Sequence, residues 1–103
     1  MRKIATIRKV GSNAVRIMLY DSRRSGVYLF VYESQEDGPC TEDYWFDSGE
    51  LAEKSALEVY GVSTPDWQKI PEPSDGCQHD WIAPTRVRRD NAGKPIWGQF
   101  ERV

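Results

Sequence analysis

Apolar positions recur every second residue through much of the first third of the chain. From Ala14 to Tyr20, Val15, Ile17 and Leu19 fall on one face of an extended segment, the period of a half-buried strand. Val27 to Tyr32 places Val27, Leu29 and Val31 on one face and Tyr28, Phe30 and Tyr32 on the other. A strand apolar on both sides belongs in the middle of a sheet or has its second face covered. The polar loop Asp21–Gly26 between these runs makes them a hairpin candidate. Ile4–Val10, before the turn signal Gly11-Ser12-Asn13, reads as a shorter, mixed strand, and Asp43–Phe46 as another.

From Ser48 to Tyr60 the period changes to that of a helix. Asp47 is a suitable N-cap, and Glu50, three residues on, would complete a capping box. Phe46 and Leu51 have the spacing of a hydrophobic staple, and Gly61 suits the left-handed C-terminal stop. At 100° per residue, Leu51, Ala52, Ala56, Val59 and Tyr60 gather on one side and Glu53, Lys54 and Glu58 on the other, with Leu57 as the exception. Beyond Gly61 the pattern dissolves. Pro65, Pro71, Pro73, Gly76 and Pro84 punctuate a stretch without period, in which Ser63–Trp67 reads as a short capped turn. Trp67, Ile70, Trp81 and Ile82 should anchor this stretch, so we expect it ordered, with both tryptophans largely buried and the Asp75–His79 turn exposed. Thr85–Arg89, the turn Asp90–Gly93 and Ile96–Val103 complete a second hairpin, whose Pro95 suits a strand start or sheet edge.

The order β-β-β-(β)-α-β-β predicts one α+β domain over residues 1–103, with a mainly antiparallel sheet and one main helix on one face. Length and composition agree with this. A chain of 103 residues, 39% hydrophobic and 12% aromatic, can form one core without metals or disulfides. Arg8 and Lys9 interrupt the only N-terminal apolar run, so neither a secretory signal nor a membrane span is expected. Two cysteines, Cys40 and Cys77, are too few for a secreted disulfide scaffold. Reduced thiols in the cytoplasm are the simpler reading, with a single bridge between them left open.

Charge changes the picture more than composition does. Seven Lys/Arg against one Asp give +6 from Met1 to Arg24, and two against thirteen acids give −11 from Glu33 to Asp80. The stretch from Trp81 to Val103 returns to +3, five against two. Basic ends flanking an acidic middle fit internal compensation, or a dipolar surface that meets a charged partner.

Three chemistries follow from the residues. Arg86, Arg88 and Arg89 on one strand, with Arg23 and Arg24 at a loop tip and Trp97 nearby, combine phosphate-contacting and base-stacking side chains. A pI near 5.4 argues against nucleic acid, and charges on an edge strand also deter aggregation. Gly76–Trp81 gathers Cys77, His79 and Asp80, the components of a Cys/His nucleophile. Neighbours in sequence rarely reach that geometry, and two cysteines with one histidine fall short of a structural zinc site. No cofactor, metal or small-molecule ligand is indicated. The surplus of Tyr, Trp and Arg fits a protein interface best. The expectation is therefore a non-enzymatic protein acting through a partner protein, with nucleic-acid binding as alternative and Cys/His catalysis third. The candidate partner-binding residues are Arg23, Arg24, Arg86, Arg88, Arg89, Trp97, Asp75, Gln78 and His79.

Overall fold

A computed structural model describes residues 1–103. Two strands rich in β-branched and aromatic residues form its centre: β2 (Arg16–Asp21) and β3 (Val27–Tyr32) pair antiparallel, with Ile17 opposite Val31 and Leu19 opposite Leu29. The strand β1 (Arg2–Thr6) joins β2, and β4 (Glu42–Phe46) joins β3. A three-residue strand not anticipated from the sequence, β5 (Gln68–Ile70), pairs with Arg2–Ile4. The five-stranded sheet runs β4-β3-β2-β1-β5, antiparallel throughout. Because β5 reaches only to Ile4, the edge of β1 beyond that residue is uncovered.

The helix α1 (Gly49–Tyr60) lies on one face, and the fold is α+β with one helix, as the pattern predicted. Ile17, Leu19, Val27, Leu29 and Val31 form the core beneath it with Ala5, Ile7 and Val62. Ala52 and Ala56 are the helix residues buried in this core, with Tyr60 partly buried against it, whereas Leu51 and Val59 are half exposed. Small alanines let the helix backbone approach the sheet, which leaves the larger residues on its flanks. The cap also differs by one residue. Ser48, in extended backbone, accepts the Leu51 N–H through its hydroxyl at 3.3 Å, and Asp47 does not cap. Gly61 does end the helix in left-handed backbone, with φ 69°. Lys3 links β1 to α1 through Glu53 at 2.7 Å and lies 5.1 Å from the Trp67 ring centre. No helix is long and apolar enough to cross a membrane.

The opposite face carries Met18, Phe30 and Tyr32, flanked by Ile4, Tyr20 and Tyr28. An apolar face of this size needs a cover, and the irregular stretch after β5 supplies Ile70 and Ile82 to it. Its polar backbone is satisfied by side chains from the sheet and from the β3–β4 loop. Arg2, 2% exposed, donates to the carbonyls of Pro71 (2.7 Å), His79 (3.1 Å), Trp81 (2.5 Å) and Ile82 (3.3 Å). The Asp37 carboxylate accepts the N–H groups of Ile82 and Ala83, each at 2.8 Å. The Tyr32 hydroxyl donates to the Asp80 carbonyl, and the Asp80 carboxylate accepts the Cys40 N–H at 2.9 Å. The stretch is thus ordered and wrapped over the sheet, although Trp67 and Trp81 are half-buried and not deeply so.

The last two strands, β6 (Thr85–Arg89) and β7 (Pro95–Arg102), form a separate antiparallel ribbon. It is fixed to the wrapped stretch. Gln78 N–H donates to the Thr85 carbonyl at 2.7 Å, Val103 N–H to the Pro84 carbonyl at 3.0 Å, and Trp81 packs on Phe100 with ring centres 5.2 Å apart. The protein measures 46 × 31 × 19 Å. Its radius of gyration of 14.3 Å exceeds the roughly 13 Å of a compact chain this long.

Candidate functional site

The ribbon owes its shape to three local devices. Asp90 closes the turn by accepting the N–H groups of Ala92 and Lys94 on Oδ1, both at 2.9 Å, and Gly93 follows in left-handed backbone. Gly98 then interrupts β7 with φ 85°, a backbone conformation that glycine enters without penalty. Pairing accordingly jumps from Val87–Phe100 to Arg89–Pro95. At this irregularity Trp97 stands 78% exposed.

Across from it runs the turn Asp75–Gln78, held by Cys77 N–H on the Ser74 carbonyl at 3.0 Å and by the buried Cys77 side chain. Between turn and ribbon lies a groove of about 320 Å³. Five of the candidate residues line it: Asp75, Gln78, Arg86, Arg89 and Trp97. Residues remote in sequence, drawn from the wrapped stretch and from both ribbon strands, thus meet at one place. Arg86 pairs with Glu101 at 3.0 Å, and Arg89 donates to the Gly93 carbonyl at 2.8 Å. Both contacts are exposed, and surface pairs of this kind contribute little, so the guanidinium groups remain available to a ligand.

The other four candidates do not line this groove. Arg88 is exposed on β6, and Arg23 and Arg24 sit in the β2–β3 turn. There Arg23 has φ 65° and donates its N–H to Asp21 Oδ1 at 2.9 Å. His79 leans on Tyr20, with ring centres 4.8 Å apart. No hydrogen bond joins His79 to Cys77, and the Asp80 carboxylate is directed at Cys40. Burial and that carboxylate push the Cys40 thiol up to about 12, so it stays protonated at neutral pH. Both cysteines are free.

A second cavity went unread in the sequence. It occupies about 750 Å³ where β5 leaves the edge of β1 open, near the C-terminal end of α1. Arg8, Lys9, Arg16, Gln35, Glu58 and Asp66 are among its lining residues. Asp66 accepts the N–H and the hydroxyl of Ser63 at 2.9 and 3.0 Å, which together hold its carboxyl below the usual range. Arg16 is 3% exposed, whereas the sequence reading held it only as one of the seven basic residues counted between Met1 and Arg24. The available signal was its place on the strand face shared with Met18 and Tyr20, a face with too many large side chains to be left to water.

Comparison with protein-family models, with curated proteins and with solved structures gives no match.

Proposed function

We propose that this protein is a small non-enzymatic binding module that grips an extended, acidic and partly apolar segment of a partner protein in the groove beside β6 and β7. The observation that carries this reading is Trp97, 78% exposed at the rim of a groove that also holds Arg86 and Arg89. Trp and Arg are the residues that most often dominate interface energies. Asp75 shares the groove and Glu101 is paired with Arg86, a mixed lining that suits a protein segment better than a run of phosphates. The thiol of Cys40, held protonated, and the lack of a hydrogen bond between Cys77 and His79 lend no support to catalysis. Two free cysteines fit a reducing, cytoplasmic setting.

Panning a random peptide library against the purified protein tests the proposal. Recovered peptides should carry Asp or Glu beside an aromatic or aliphatic residue. Trp97→Ala, and separately Arg86→Ala with Arg89→Ala, should weaken their binding by about tenfold or more, the effect of losing an interface hot spot. These side chains are exposed, so the variants should keep their fold. Equal binding by the variants would contradict the proposal. So would a single-stranded oligonucleotide that binds more tightly than any peptide at physiological salt, which would favour the nucleic-acid reading.

A further inference from the structure

The cavity at the open edge of β1 holds a buried positive charge with no ion-pair partner. No carboxylate lies within ion-pair distance of the buried Arg16. Its Nη1 donates to the Gln35 carbonyl at 3.2 Å, and its guanidinium carbon sits 4.1 Å from the centre of the Tyr32 ring. Nε and Nη2 have no hydrogen-bond partner and are closed to solvent. These two nitrogens share one edge of the guanidinium, where their N–H bonds run side by side. That edge is the fork which takes both oxygens of a carboxylate or phosphate in parallel bonds. A stacked aromatic ring steadies the plane of the group but supplies no counter-charge.

The surroundings match the fork. Arg8 and Lys9 line the same cavity and form no ion pair within 4 Å, although Lys9 donates to the Val59 carbonyl at 2.9 Å and the Arg8 charge helps to lower the Asp66 carboxyl. Of the two acids there, Asp66 is committed to Ser63. The volume of about 750 Å³ falls within the range of small-molecule sites, and Ile4, Leu57 and Tyr60 add apolar lining.

We infer that this cavity binds a small organic anion whose carboxylate or phosphate group takes the Nε–Nη2 edge of Arg16, with Arg8 and Lys9 adding charge around it. That edge is closed to solvent in this structure, so binding requires a local shift, for which we infer the exposed Gln35, whose carbonyl accepts from Arg16 Nη1 and whose side chain donates to the Val15 carbonyl at 2.8 Å. The site shares no lining residue with the ribbon groove and stands independently of the function proposed for that groove.

Titration with citrate and, separately, with glycerol phosphate, each against chloride at matched ionic strength, tests the inference and tells the carboxylate from the phosphate. One of the two should raise the melting temperature saturably, with a Kd of about 1 mM or tighter, and should shift the Arg16 Nε–H resonance. Arg16→Lys keeps the charge but lacks the fork, and should weaken binding by about tenfold or more. Arg8→Ala with Lys9→Ala changes only exposed residues and should weaken binding by a smaller factor, while Lys94→Ala with Arg102→Ala, a matched loss of two charges on the ribbon outside the cavity, should not. If Arg16→Lys fails to fold, the Nε–H shift and the Arg8/Lys9 variant decide the matter. The inference is overturned if neither anion binds saturably, if binding leaves the Arg16 Nε–H resonance unmoved, or if Arg16→Lys binds as well as the parent protein.

Discussion

Arg2 does in this protein what an apolar residue cannot. The wrapped stretch covers the sheet without regular structure, so its carbonyls need donors from elsewhere, and one buried guanidinium serves four of them. Hydrogen bonds from a charged donor are worth about 1.5–3 kcal/mol each and do not add fully, so Arg2→Ala should cost about 3 kcal/mol or more in a denaturant titration. Arg2→Lys should recover little of that, because an ammonium cannot span the same acceptors. Cys40 gives a residue-level test in pH. Its thiol is raised from an ordinary value of 9.0 to about 12, so the folded state binds that proton more tightly than the unfolded chain. The resulting stabilisation is complete below pH 9 and is lost as pH rises through about 12. Alkylation by iodoacetamide at pH 8, followed by peptide mapping, should therefore find Cys40 far less reactive than a free thiol, with the rate rising steeply in more alkaline buffer. Neither role was legible from residue type. An arginine in a strand reads as solvent-facing, and only the aromatic residues sharing its face hint that the face is covered.

Among the elements, those with a strong period were read nearly in full. β3 was expected over Val27–Tyr32 and lies there, because residues apolar on both faces leave little freedom of register. The helix and its glycine stop were equally plain, but its start was not. Asp47 and Ser48 are both good caps, and the choice between them rests on which backbone turns extended, a matter decided by the preceding β4. Ser48→Ala should accordingly cost about 1 kcal/mol, and Asp47→Ala a few tenths at most, as measured by thermal or denaturant unfolding. The inward face of α1 was drawn too wide for the opposite reason. A helical projection sorts residues by polarity, whereas the depth of burial here depends on the small alanines that meet the sheet. β5 was missed because three residues between Trp67 and Pro71 are too few to show an alternation.

The architecture divides the protein between a sheet with both faces covered and a ribbon joined to it through the wrapped stretch. Trp81 sits at that junction, half-buried and packed on Phe100, with an indole N–H that has no partner. Trp81→Ala should destabilise by about 3 kcal/mol, near the lower end for loss of a large aromatic, whereas Trp81→Phe gives up no hydrogen bond and should cost less. Five of the nine candidate residues meet in the ribbon groove because the wrapped stretch and the hairpin bring distant segments together. The sequence supplied their chemistry but not the bulge at Gly98 that fixes where they meet. The central claim is that this groove is a recognition surface, and backbone amide mapping by NMR tests it most directly. On titration with a peptide selected by panning, the largest shifts should fall on Asp75–Gln78, Arg86–Arg89 and Ile96–Gly98, with β2 and β3 unmoved. Shifts concentrated anywhere else, or none at saturating peptide, would contradict it.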